Sequence, residues 1–147
     1  MPVNEHRTYG LISVTAATVS ITPDYLGVPI VLNRAAGITA TLPAATGSGN
    51  RYEFIVGTTV TSNSDIIKVA NSTDVMQGHA ILAQDAADTA VMFEAGATAD
   101  TITLNGTTTG GLAGARVSLI DYASGFWAVE VRGAATGTEA TPFSATV

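Results

Sequence analysis

The sequence predicts an all-β, single-domain fold: a β-sandwich or β-barrel-like domain with little or no helix. Its 147 residues suit one domain but not two with full cores. Leu, Ile, Val and Phe supply 36 of them, which is enough for a hydrophobic core. Short β-branched runs alternate with clusters of Gly, Pro, Asn and Ser, and turn signals recur about every 8–12 residues. This spacing is typical of roughly eight to eleven short strands.

The first half of the chain contains four predicted strands. The run 11–21 is rich in Val, Ile and Thr, and a Thr-Pro-Asp turn signal closes it. Pro43 ends a later run because proline donates no ladder hydrogen bond. Alternation places Tyr52, Phe54 and Val56 on one face of a strand. The predicted strands are residues 11–21, 28–33, 38–42 and 51–56.

The second half ends in the clearest strand of the chain. Alternation there sends Trp127, Val129 and Val131 to one side, so we expect the single Trp in the core. Residues 122–125 suit a hairpin turn, and residues 84–90 suit a link between two strands better than a helix. Residues 75–82 suit either a strand or irregular structure. The other predicted strands are residues 66–70, 91–94, 101–104, 116–121 and 126–132.

The predicted organisation has three parts. Residues 1–8 form a flexible N-terminal arm, residues 9–133 the β domain, and residues 134–147 a C-terminal tail that is extended rather than packed. A weak internal echo runs through the domain. Thr41-Leu42, a Thr/Gly-rich loop and a strand from Arg51 resemble Thr103-Leu104, a similar loop and a strand from Arg116. A duplicated hairpin and a chance match of common residue types explain this echo equally well.

Composition and charge exclude several function classes. The net charge is −6, and the five Arg and one Lys are scattered singly, so nucleic acid is not an expected partner. The chain has no Cys, which excludes disulfides, thiolate metal sites and thiol nucleophiles. No stretch approaches the roughly 20 apolar residues of a membrane helix, and the N-terminus lacks a secretory signal pattern. We therefore expect no membrane partner and a chain made and used without export.

The sequence offers no catalytic constellation, no metal site and no cofactor site. Neither His6 nor His79 has a second histidine at metal-binding spacing, and a surface role is expected for each. No GxSxG elbow or phosphate-binding GxxxxGK[ST] loop occurs. Five aspartates fall in or beside loops, where Asp is expected for turn formation alone: Asp65, Asp74, Asp85, Asp88 and Asp100. The prediction is therefore a protein that is not an enzyme.

The surface chemistry predicts a stable oligomer. Ala and Thr are abundant, whereas charged residues make up only 12% of the chain. Few charges are available to protect the edges of the sheets, so a sheet must either close on itself or be covered by neighbours. Flat surfaces of small residues suit burial against other subunits.

Three segments carry a resemblance to a known family. They are ITATLPAATGSGNRYEFIV at residues 38–56, GFWAV at residues 125–129 and ATPFSA at residues 140–145. With them the chain, from about Val28 to Ser144, resembles the capsid decoration (cement) proteins of tailed bacteriophages. Similar strand–turn–strand segments also occur in phage fibre domains.

The resemblance implies a β-sandwich of the β-tulip or jelly-roll type that forms a homotrimer. Such a trimer binds the outside of an assembled phage head and clamps neighbouring copies of the major capsid protein. It also implies that the N-terminal arm adds a strand to the capsid, with backbone hydrogen bonds giving affinity. A frayed terminus without a role is the other interpretation of this segment. The candidate capsid-binding residues are Pro2, Val3, Asn4, Glu5, His6, Arg7, Thr8 and Tyr9.

The alternative function is a trimeric domain of a head or tail fibre that binds host-surface glycans. Carbohydrate sites need an exposed aromatic platform beside polar groups, and the single Trp is predicted to be buried. Tyr side chains are then the remaining candidates: Tyr9, Tyr25, Tyr52 and Tyr122. A small hydrolase is the least favoured class, because no nucleophile and base pair can be nominated.

Overall fold

The structure, a computed structural model, describes residues 5–8 and 10–147, with the backbone alone for residues 5–8. The described residues form thirteen strands and one short 3₁₀ turn, Pro23–Tyr25. The strands are β1 (Glu5–Thr8), β2 (Leu11–Val14), β3 (Thr18–Ser20), β4 (Pro29–Leu32), β5 (Thr39–Thr41), β6 (Arg51–Val56), β7 (Asp65–Lys68), β8 (Val75–Ala83), β9 (Ala90–Glu94), β10 (Thr101–Leu104), β11 (Arg116–Ala123), β12 (Phe126–Ala134) and β13 (Phe143–Ser144). The predicted all-β single domain is confirmed, although its strands are more numerous than expected.

The larger sheet has eight strands in the order β1-β2-β4-β6-β11-β12-β8-β9. Strands β2, β4 and β6 run parallel to one another, and β12 runs parallel to β8 along nine residue pairs. The remaining neighbours are antiparallel. The order is linear, so this sheet has two edges, at β1 and at β9.

The smaller sheet has five strands in the order β13-β10-β7-β5-β3. It is antiparallel from β13 to β7 and parallel from β7 to β3. The two sheets pack against each other as a sandwich, and their inner faces form one hydrophobic core.

The core forms from the alternation that the sequence predicts. Trp127 is fully buried, and its ring lies 6.0 Å from the ring of Tyr52, centroid to centroid. Val129 and Val131 lie on the same inner face, as expected. Each large apolar side chain buried in this way contributes about 1.5–3 kcal/mol. The indole N–H of Trp127 has no acceptor among the described residues.

The predicted strand at residues 11–21 is wrong, because this run divides between the two sheets. Strand β2 pairs with β4 in the larger sheet, whereas β3 pairs with β5 in the smaller one. Residues 15–17 carry the chain from one sheet to the other. Both parts of the run are rich in β-branched residues, so composition gives no sign of the division.

The internal echo corresponds to a geometric repeat, but the repeated unit is not a hairpin. In each copy the first strand, β5 or β10, lies in the smaller sheet and the second, β6 or β11, lies in the larger one. In the β6–β11 ladder Arg51 lies opposite Ile120 and Arg116 lies opposite Ile55. Equivalent residues therefore exchange places about a local two-fold axis at the pair of Glu53 and Ser118.

The predicted links between strands agree with the structure, whereas the prediction for the C-terminal tail needs a correction. Strands β11 and β12 form the expected hairpin, with Ala123 opposite Phe126, and residues 84–89 link β8 to β9. The tail is extended but packed, which corrects the expectation. Phe143 is buried in the core, and β13 pairs with β10.

Candidate functional site

The structure describes the predicted arm in part. Residues 5–8 form β1, which pairs antiparallel with β2, with Glu5 opposite Val14 and Thr8 opposite Leu11. Residues 2–4 and 9 lie outside the described residues. Capsid binding by this segment stays a prediction.

Asp121 is a buried anchor for the loop between β5 and β6. Its carboxylate accepts hydrogen bonds from the backbone N–H groups of Thr46 (3.0 Å), Gly47 (2.7 Å) and Ser48 (3.1 Å). The hydroxyls of Thr46 and Ser48 also donate to it, at 3.3 and 2.6 Å. Burial alone would raise the pKa of Asp121, but these bonds, led by that from the Ser48 hydroxyl, lower it to about 2. Sequence reasoning did not single out this residue.

Asp74 and Asp100 hold distant segments, so the expectation of turn formation alone is wrong for both. Asp74 accepts a hydrogen bond from the Ala45 N–H at 2.8 Å. Asp100 accepts from the N–H groups of Thr146 (2.8 Å) and Val147 (3.2 Å) and from the Thr101 hydroxyl (2.7 Å). Burial of Asp100 opposes ionisation, yet these bonds lower its pKa. The two carboxylates thus fix a loop and the tail.

Asp65 has a fully buried carboxyl oxygen that accepts no hydrogen bond from the described residues. Its Oδ1 accepts a hydrogen bond from the Ile38 N–H at 2.9 Å, while no donor among the described residues reaches Oδ2. Burial raises the pKa of Asp65 to about 7, and the bond from Ile38 offsets this only in part. The Asp65 side chain is fully buried, so the carboxyl supports the Ile38 backbone instead of facing a ligand.

A polar strip crosses the outer face of the larger sheet. Arg116 binds the carboxylate of Glu53 at 2.8 Å, and Arg132 pairs with Glu130. His79 lies on the same face, with its Nε2 3.7 Å from Glu130, which agrees with the expected surface role. These ion pairs are largely solvent-exposed, so each contributes little stability. Within residues 10–147 no three His, Asp or Glu side chains come close enough to hold a metal ion.

A groove with a volume of about 350 Å³ lies beside this strip. Pro29 and Ile120 give it an apolar lining, and its polar groups include Glu53 and Ser118. The Ser118 hydroxyl donates to Glu53, which also accepts from Arg116. The carboxylate of Glu53 is therefore shared between a serine hydroxyl and an arginine.

Large apolar side chains are exposed at two places on the larger sheet. Met92 on edge strand β9 is 66% exposed. Tyr122 and Phe126 flank the β11–β12 turn with ring centroids 6.2 Å apart and a tilt of 40°. The Tyr122 hydroxyl donates to the Gln77 side chain, so polar groups adjoin these rings. Among the other candidate tyrosines, Tyr25 and Tyr52 are buried.

No family model, curated protein or solved structure matches this chain. The described part of the chain includes no helix with the length and apolar character needed to cross a membrane.

Proposed function

We propose that this chain is a structural virion protein, a decoration or cement protein on the outer surface of an assembled phage head. In this proposal it forms a homotrimer, binds the major capsid protein and performs no catalysis. The observation that carries the proposal is the uncovered, weakly protected edge of the larger sheet at β9. Such an edge is a template for pairing with another chain. The family resemblance of residues 38–56 supports the same function.

Most of the buried carboxylates hold the fold together, which supports a protein that binds partners through the shape of its surface. Three of the buried aspartates, Asp74, Asp100 and Asp121, accept hydrogen bonds that fasten loops and tail to the sandwich. These bonds restrain the loops and the tail, and the sheet edges and outer faces remain for partners. Rigid binding surfaces lose less conformational entropy on association.

Stabilisation of a head follows from multivalency and linkage. A trimer that holds several capsid subunits converts modest contacts into strong attachment through effective concentration. If the trimer binds only the expanded form of the capsid shell, it stabilises that form, as any ligand stabilises the state that it prefers.

The test compares heads with and without the bound protein. We expect genome release to need a higher temperature when the protein is bound, and equal release temperatures would contradict the proposal. The mass of the purified protein in solution tests the trimer separately. A monomer at micromolar concentration would remove the multivalent clamp.

A trimeric fibre domain that binds host glycans is the second candidate, and one observation favours it. Tyr122 and Phe126 expose their rings beside Gln77, which is the combination of aromatic surface and polar groups that sugars bind. A glycan array separates the two functions. Binding of a glycan that Y122A abolishes would favour the fibre domain, whereas an array without binding would count against it.

A further inference from the structure

No strand among residues 5–8 and 10–147 pairs with the outer side of the β9 backbone. The Ala95 N–H donates to the Gly78 carbonyl at 2.9 Å, and the Gln84 N–H donates to the Thr89 carbonyl at 3.0 Å. These bonds mark the two ends of the β8–β9 ladder. In an antiparallel ladder, residues that bond the neighbouring strand alternate with residues whose backbone groups face away from it. The backbone N–H and C=O groups of the odd-numbered residues of β9 therefore point towards β8.

The even-numbered residues form the open edge. By this alternation the backbone N–H and C=O groups of Ala90, Met92 and Glu94 point away from β8, and no described strand pairs with them. These three residues are all exposed. The edge thus offers three donors and three acceptors in a row, the arrangement to which an added strand binds.

Apart from the charge of Glu94, the β9 edge lacks the features by which proteins protect sheet edges. Its sequence AVMFE contains no Lys, Pro or Gly, and Met92 exposes most of its side chain. The edges of the smaller sheet are shorter. Strand β3 has three residues, and β13 has two, followed by a tail that Asp100 holds.

The charged side chains of β9 and of the loop that leads to it are all acidic, and His79 of β8 lies opposite Glu94. From residue 69 to residue 115 the sequence contains no Lys or Arg. The same stretch contains five carboxylates, Asp74, Asp85, Asp88, Glu94 and Asp100. Three of these, Asp85, Asp88 and Glu94, are exposed on β9 or on the loop that leads to it. The β9 strand of a second copy would bring like charges to this edge, whereas a basic segment would complement it.

We infer that β9 binds an extended, basic segment of a partner protein as an added strand of the larger sheet. A Lys or Arg of that segment lies opposite Glu94, and an apolar residue covers Met92. A groove of about 190 Å³ between Glu94, Gly96 and the tail residues Thr141 and Phe143 receives an inward-facing side chain. That the partner is the major capsid protein rests on the proposed function. The extended, basic character of the segment follows from the β9 edge alone.

The test titrates the isotope-labelled protein with two capped peptides, KVIVK and EVIVE, and follows the backbone amides by NMR. We expect KVIVK to shift and protect the amides of Ala90, Met92 and Glu94, with EVIVE at least tenfold weaker. Equal binding of the two peptides, or shifts confined to another part of the chain, would overturn the inference.

Variants test the backbone requirement. M92P removes an N–H that makes no bond within the sheet, so the β8–β9 ladder is kept and KVIVK binding should fall at least tenfold. T18P is the matched control on edge strand β3, because the bonds of residues 17 and 21 with β5 show that Thr18 also faces outward. It should leave binding unchanged. M92K, which leaves the backbone intact, should weaken KVIVK binding as well and covers the case of a misfolded M92P. Unchanged binding by M92K and M92P would refute the assignment.

Two further measurements separate this inference from the proposed function. A dimer that forms with concentration and is abolished by M92P would assign the edge to a second copy and overturn the choice of partner. Peptide binding without attachment of the wild-type protein to heads would sink the proposed function and leave the inference standing. Attachment to heads by M92P as tight as by wild type, without peptide binding, would leave the proposed function standing and would overturn the major capsid protein as the partner of β9.

Discussion

Substitution of Asp121 by Asn should destabilise the domain in a manner that depends on pH. The carboxylate is buried and accepts five hydrogen bonds from Thr46, Gly47 and Ser48. An Asn side chain has one acceptor oxygen in place of two and carries no charge. Its NH₂ group would face backbone donors, leaving at least one of them without a partner.

The magnitude follows from the pKa. Asp121 titrates near pH 2 in the folded chain and near 3.8 when unfolded, so its ionised form contributes about 2 kcal/mol to the free energy of unfolding. A donor left unsatisfied adds about 1–3 kcal/mol to the cost of the substitution. Because the folded pKa is lowered, the charge-dependent part is present above about pH 4 and is lost as the pH falls through 2. We expect a loss of about 3–5 kcal/mol at pH 7 that shrinks by about 2 kcal/mol at low pH.

The assay is urea denaturation of wild type and D121N at pH 7 and at pH 2, monitored by the fluorescence of Trp127. The difference between the two proteins isolates Asp121 from other groups that titrate in the same range. D88N, which alters an exposed loop aspartate, serves as the control and should match wild type within about 0.5 kcal/mol. A D121N deficit that is the same at both pH values, or that is absent at pH 7, would refute the reasoning.

Three other changes give measurable outcomes. D65N should raise the free energy of unfolding relative to wild type more at pH 8 than at pH 4. The pKa of Asp65 in the folded chain is about 7, so wild type loses stability as the pH rises from about 4 to 7, and the difference between the two proteins reaches about 4 kcal/mol. Parallel pH profiles of the two proteins in urea titrations would contradict this. G78A should cost at least about 3 kcal/mol by the same titration, since a Cβ there meets the Val129 carbonyl oxygen at 1.9 Å with φ at +146°, whereas G96A, with open space around it, should be nearly neutral. W127A should cost about 3–5 kcal/mol in denaturation followed by circular dichroism, and a loss below 1 kcal/mol would show that the indole is not a core residue.

The sequence predicts best the features that have a period of two. Tyr52, Phe54 and Val56 alternate with more exposed residues, and the structure buries all three as expected. The run 11–21 carries no such information, because its division between sheets depends on pairing with β4 and β5, which is not local. Strand number was underestimated for the same reason.

The anchoring role of the aspartates was not predictable from sequence. The backbone hydrogen bonds that Asp65, Asp74, Asp100 and Asp121 accept span 27 to 75 positions along the chain, so no local pattern accompanies them. An aspartate that forms a turn and one that fastens a remote loop look alike in a single sequence. Likewise, the open edge of β9 depends on which strands are its neighbours, whereas its lack of Lys and Pro could be read directly.

The nine-residue parallel ladder between β8 and β12 also bears on how this chain reaches its native state. Every pair in that ladder joins residues 51 positions apart, from Val75 with Phe126 to Ala83 with Ala134. Strands β8 and β9 can therefore join the larger sheet only after a segment made much later, and the entropy cost of closing that long loop precedes any gain from pairing. Refolding should accordingly take milliseconds to seconds, and during that interval the backbone edge of β8 that pairs with β12 lacks its partner.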